Sequence, residues 1–153
     1  MIVKSIAERF EATVGWENYE DITGSAIATR QAVYKLLKAQ DSTSAENAYW
    51  KLENSVVAQG TVYSAAVPVT RILVAALVDE LPMPVRIAIM DLLYQILSGA
   101  AVSSNSNIIE ECKGFVKEGV WLLVREFVFG PREAARDVLE MIEVDIDYEA
   151  FVA

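Results

Sequence analysis

The chain has 153 residues, 54% of them hydrophobic and 23% charged, with 13 Lys and Arg against 22 Asp and Glu for a net charge of −9. That is one domain's worth of folded protein with enough apolar content for a continuous core, which excludes a disordered chain, and its few, scattered cations argue against a nucleic-acid groove. The absence of histidine removes the commonest general base, the usual metal ligand and every Ser-His or Cys-His pair.

Ile2, Val3, Ile6, Phe10 and Val14 recur at helical spacing, so the first segment reads as a helix that covers one end of the fold. Charges run through it and there is no apolar signal core, so no secretion is expected. Gly15 to Gly24 sets Trp16 and Tyr19 beside Glu17, Glu20 and Asp21, and reads as a loop pinned to the core by its aromatics. Ser25 is placed as the N-cap of a helix with apolar positions Ala26, Ile27, Val33, Tyr34, Leu36 and Leu37, ended by Gln40-Asp41-Ser42. Thr43 and Glu46 form a capping-box pattern that opens the next helix. Its core stripe is Ala45, Ala48, Tyr49, Leu52 and Val56, with Trp50, Asn54 and Val57 on the opposite side.

Gln59 to Arg86 organises the rest. From Val62 to Val78 nearly every residue is apolar, Thr70 and Arg71 being the main interruptions, which predicts a central helix buried almost all round. Pro68 places its start between Tyr63 and Ala66, after a turn at Gly60-Thr61. Leu81-Pro82-Met83-Pro84 stops it, and Pro84 suits the first position of a second helix with Val85, Ala88, Ile89, Leu92, Leu93, Ile96 and Leu97 on one face. Arg71, Asp79 and Glu80 interrupt the longest apolar run, so no membrane span is expected. After a polar loop, Ser103 to Asn107, the pair Asn107 and Glu110 repeats the capping-box pattern before a long helix, Ile108 to Val128. Ile108, Cys112, Phe115, Val116, Gly119, Leu123 and Phe127 form its buried stripe, Gly119 admits a neighbouring helix, and Trp121 falls on the polar side. Cys112 reads as a core thiol, and a single cysteine excludes an internal disulfide, as suits a reducing cytoplasm. The tail alternates as a strand-like or frayed segment, and its acids Asp145, Asp147 and Glu149 lack the glycine and closing glutamate of a calcium loop. No catalytic residue, metal or cofactor is expected.

The helix pair that includes Pro68 and Pro84-Val85-Arg86 resembles a repeat of the HEAT class, in which Arg86 matches an arginine often found at the start of the second helix. Phe129-Gly130-Pro131-Arg132 opens another helix at an offset of 47 residues from Pro84, within the HEAT-type period of about 40 to 47. A weaker pair covers about Ser25 to Lys38 and Ala45 to Ala58. The resemblance implies an all-α fold: one domain forming a right-handed α-solenoid of about three HEAT-like helix pairs over residues 25–143, with an N-terminal cap over 1–24 and an acidic tail over 144–153. Trp50 to Pro68 is also similar to small bacterial HEAT-like proteins, some of them immunity proteins encoded beside secreted toxins. That likeness implies a cytoplasmic inhibitor of a toxin domain, its acidity suited to a basic nuclease. A scaffold or adaptor is equally compatible with the class, which also contains DNA glycosylases and bilin lyases. The glycosylases use a basic concave face that an acidic chain does not suit.

In such a solenoid the second helix of each pair lines one side. At helical spacing, Trp50, Glu53, Asn54 and Val57 on the first such helix, Ile87, Met90 and Tyr94 on the second, and Arg136, Glu140 and Glu143 on the third face away from the core. They form the predicted partner-binding strip, with Trp50 and Tyr94 as anchors. Acid concentrates at the chain ends: residues 1–24 carry 2 positive and 5 negative groups, and residues 131–153 carry 2 and 7. Such a field would steer a basic protein partner. The competing readings are that Ile87, Met90 and Tyr94 pack against an adjacent repeat, and that the carboxylates serve solubility alone.

Overall fold

The computed structural model describes residues 4–58, 60–99 and 106–152. Among them lie eight α-helices: α1 (Ile6–Glu11), α2 (Ile27–Lys38), α3 (Ser42–Val56), α4 (Ala66–Ala76), α5 (Met83–Ser98), α6 (Ser106–Glu118), α7 (Val120–Phe129) and α8 (Arg132–Ile142). The described chain is all-α apart from a minimal antiparallel hairpin, β1 (Val57–Ala58) and β2 (Thr61–Val62), with Val57 opposite Val62 and Ala58 opposite Thr61. Gly60 closes that hairpin at φ +81, a conformation that a side chain would strain.

α4 is the centre because its sequence leaves no face for water: Ala66 to Thr70, Ile72, Leu73, Val74 and Ala76 are all buried. Pro68 is its third residue, where the missing N–H costs no intrahelical bond. Arg71 is the exception, and its guanidinium lies over the rings of Phe10 and Phe115 at 5.1 and 4.7 Å. α4 thus packs between α1 and α6, while α5 packs between α3 and α8. α2 covers α3, and α7 packs on α8. The two helices that the sequence pairs, α4 and α5, touch each other only sparingly; an all-round apolar α4 is shared between α1 and α6 instead.

Several boundaries differ from those the residues suggest. α2 begins at Ile27 with Ala26 at the cap position, and Ser25 sits one residue earlier. Asp41, not Thr43, caps α3: its carboxylate accepts from the Ser44 N–H at 2.8 Å and from the Ser44 hydroxyl at 2.8 Å. Pro84 is the second residue of α5 and not its first. Asn107 lies inside α6 and caps nothing. The long helix from Ile108 to Val128 is two helices broken at Gly119, where a Cβ would overlap Val74 Cγ1 of α4. The close approach expected of Gly119 is therefore present, and the break is part of how it is reached. The tail is not strand-like: Tyr148–Val152 forms a 3-10 turn against α7, with Tyr148 edge-on to Phe127 at 5.0 Å and Phe151 stacked on Trp121 at 6.4 Å. Ile2, Val3, Gln59 and Ser103 to Asn105 lie outside the described residues.

The loop before α2 is pinned as its aromatics suggest. Trp16 is buried, and its indole N–H donates to Glu11 Oε1 at 3.1 Å; the same oxygen receives Arg30. Asp21 is buried too: Oδ1 accepts from the Thr23 N–H at 2.8 Å and the Thr23 hydroxyl at 2.6 Å, and Oδ2 from the Thr29 hydroxyl at 2.7 Å. Burial opposes its ionisation, but those donors hold its carboxyl below the usual range.

Candidate interaction surface

Because α3 packs on α5 and α5 on α8, the outward stripes of these helices lie side by side. α3 contributes Trp50, 56% exposed, and Asn54, also exposed. Trp50 meets Tyr49 edge-to-face at 5.1 Å, so its ring is held by a neighbour that is itself packed on the core. Glu53 is half-buried on the side of α3 nearer α5, and its Oε2 has no hydrogen-bond partner among the described residues. Val57 has left the helix for β1 and is half-buried.

On α5, Ile87 and Tyr94 are 40% and 39% exposed. Met90 is fully buried and does not belong to the strip. The physical reason is rotation: residues 87, 91 and 94 follow one another by four and three along a helix face, whereas residue 90 sits at the edge of the arc that packs inward. The place given to Met90 belongs to Asp91, which is exposed.

On α8, Glu140 is exposed and Glu143 ends the helix in the left-handed conformation at φ 54. Arg136 is engaged within the fold. Its guanidinium donates to Glu149 at 2.9 Å and Glu133 at 3.1 Å and lies 5.4 Å from the Phe127 ring centroid, so it fastens the tail to α8. Asp137, which spacing alone did not single out, faces α5 closely enough to act on Asp91. Partial burial and then the Asp137 charge raise the Asp91 carboxyl above its ordinary range. Burial, Glu53 and Asp91 together push the Tyr49 phenol up. The result is a surface of Trp50, Ile87 and Tyr94 crossed by Glu53, Asp91, Asp137 and Glu140, in which Asp91 and Asp137, on facing helices, form no ion pair among the described residues.

In its first turn, on the side away from that surface, the same helix carries an ion pair whose carboxylate is buried. Arg86 Nε and Nη2 each donate to Glu126 Oε2 of α7 at 2.7 Å, and Arg125 Nη2 reaches Glu126 Oε1 at 3.4 Å while also donating to the Leu77 carbonyl. Glu126 is buried inside the apolar stripe of α7. Gly130 leaves the room: a Cβ there would collide with both Glu126 Oε2 and Arg86 Nη2. Arg86 is thus a structural arginine joining α5 to α7.

Reactive chemistry is harder to place. Cys112 is fully buried, its Sγ lies 3.7 Å from the Ala66 carbonyl, and burial pushes its thiol up to about 11. Among the described residues no group of three Cys, Asp or Glu side chains is arranged to hold a metal ion. No described helix is long and apolar enough to cross a membrane. Comparison with family models, with curated proteins and with solved structures returns no match for this chain.

Proposed function

We propose that this chain is a non-catalytic, HEAT-like protein-binding solenoid, and that the outer face of α3, α5 and α8 docks a basic protein. The observation that carries the reading is the pair Asp91 and Asp137: two like charges held together at the centre of a face whose other large residues are exposed Trp50, Ile87 and Tyr94. Like-charge juxtaposition costs stability, and a Lys or Arg from a partner would reverse the sign of that term. Trp and Tyr are among the residues in which hot spots are enriched, and carboxylates beside them complement a basic surface. The serial packing of α3 on α5 and α5 on α8 supports a solenoid, as does the recurrence of a proline-led helix in α5 and α8.

The resemblance to small bacterial immunity proteins makes the partner a basic toxin domain, bound and blocked in the cytoplasm. Co-purification with the product of the adjacent reading frame tests this. One stoichiometric partner, lost in Trp50→Ala and Tyr94→Ala at unchanged thermal stability and slower to associate as salt rises, supports the proposal. Capture of several housekeeping proteins, or of nothing, would replace toxin inhibition with a scaffold role or remove the binding face altogether.

A further inference from the structure

The cations that look scattered along the chain are not scattered in space. Arg30, Lys38, Arg86, Arg125 and Arg136 pair with carboxylates, Arg71 lies on two phenylalanine rings, and Arg9 and Arg132 donate to backbone carbonyls. Lys4, Lys35, Lys51, Lys113 and Lys117 have no carboxylate within 4.0 Å among the described residues, and of these Lys35 of α2 and Lys51 of α3 line one groove of about 530 Å³ between the two helices. Lys35 sits close enough to Lys51 to make the second ammonium harder to hold, lowering its pKa. In a chain with nine excess negative charges, this is an unneutralised pair of positive ones.

The rest of the groove suits an anion's oxygens. The side-chain amides of Gln40 and Asn47 line it and have no hydrogen-bond partner among the described residues, so their N–H groups are free to donate. Lys38 stands beside them, bound to Glu8 at 3.2 Å and lying over the exposed Tyr34 ring. Asp41 is the one carboxylate in the lining, and it is turned onto Ser44 at the start of α3. The volume falls within the range of small-molecule sites, and it is too small and too isolated in a net acidic surface to follow a nucleic-acid strand.

We propose that the α2–α3 groove is a binding site for a phosphate dianion, free or carried by a small phosphomonoester, which bridges Lys35 and Lys51 and takes donors from Gln40 and Asn47. Two ammonium groups match the two charges of a phosphate near neutral pH, and bringing that group between them turns a repulsion into two charge-assisted hydrogen bonds. Along α3, Asn47 and Lys51 lie on the side that meets α2 and Glu53 on the side away from it, with Trp50 and Asn54 between them, so the groove adjoins the acidic face without sharing its carboxylates.

Lysine side-chain NMR during titration with inorganic phosphate and, separately, with adenosine monophosphate tests it at low salt. The expected result is saturable shifts at Lys35 and Lys51 but not at Lys113 or Lys117, with Kd about 1 mM or tighter for at least one probe. Lys35→Gln/Lys51→Gln should weaken that binding at least about tenfold while the protein stays folded, and Lys113→Gln/Lys117→Gln should leave it unchanged. Saturation by inorganic phosphate alone defines a site for the free anion, and tighter binding of the nucleotide defines one that also reads its organic part. Shifts spread evenly over all lysines, no saturation, or affinity unchanged in the Lys35/Lys51 variant would overturn the proposal.

Discussion

α5 handles charge in two opposite ways. At its first turn, Arg86 reaches a glutamate buried on α7 and the pair is satisfied twice over, by Arg125 and by the space that Gly130 leaves. One turn further on and on its outer face, Asp91 feels the charge of Asp137 on α8 and has no ion-pair partner among the described residues. The first arrangement joins two helices whose apolar surfaces alone would not fix their relative position. The second costs the isolated protein stability, a cost that the proposed basic partner would offset. The contrast separates residues that hold the fold from residues the fold holds out to solvent.

Breaking the buried pair should give the largest effect. Arg86→Met leaves Glu126 in an apolar setting with only the longer Arg125 bond, and should destabilise the protein by about 3–5 kcal/mol in urea unfolding. The double variant Arg86→Met/Glu126→Leu should recover most of that loss, because apolar replacement of both partners removes the orphaned charge. If the double variant is no better than the single, the pair is not what joins α5 to α7.

Met90 and Asp91 are adjacent in sequence and opposite in role, so the next largest effect tests the rotation of α5. Met90→Ala should cost about 2–5 kcal/mol as a core cavity and leave any partner affinity to be read only after correction for unfolding. Trp50→Ala should do the reverse, with stability changed by no more than about 0.5 kcal/mol and partner binding weakened by about 2 kcal/mol or more. Equal thermal losses in both would place Trp50 in the core and remove the strip.

The broken helix α6–α7 gives a third pair. Gly119→Ala drives a methyl into Val74 and should destabilise by about 1–3 kcal/mol. Gly114→Ala has nothing within 4 Å of the new methyl and lies in exposed helix, so it should stabilise by about 1 kcal/mol. Thermal melts of the two variants should move in opposite directions, and the same direction for both would show that Gly119 is ordinary helix backbone.

What the residues made legible follows from how each signal is encoded. The buried faces of α4 and α5 were readable because apolar periodicity is a local property, and all seven predicted core positions of α5 are buried. Met90 escaped because, at the edge of an arc, one residue's side chain turns in or out according to which neighbour is present. Glu126 was unreadable for a different reason: a glutamate among apolar residues looks like a solvent-facing break until Arg86, forty positions away in sequence, is seen to reach it. The same holds for Asp91 beside Asp137 and for Lys35 beside Lys51. Helical spacing places residues on one helix, whereas these pairs exist only across two. Caps were read in the right neighbourhood and the wrong residue, since Asp41 outcompetes Thr43 by reaching the Ser44 N–H from outside the helix.

The smallest expected effect is the one most specific to the outer face. Asp91 has a folded-state pKa above its unfolded value, so at neutral pH its charge favours the unfolded chain. That penalty is present above the folded pKa and disappears as pH falls through it, because the proton is bound more tightly in the folded state. Asp91→Asn should therefore raise stability at pH 7, by no more than about 0.5 kcal/mol given its exposure to solvent, and should have no such benefit near pH 3. Asp137→Asn should reproduce part of the gain, and adding it to Asp91→Asn should bring less than the sum, since either change removes the repulsion. Melting curves of the three variants at both pH values read this directly. Additive gains, or a gain that persists in acid, would mean that the two carboxylates do not sense each other, and the acidic face would lose the feature that calls for a basic partner.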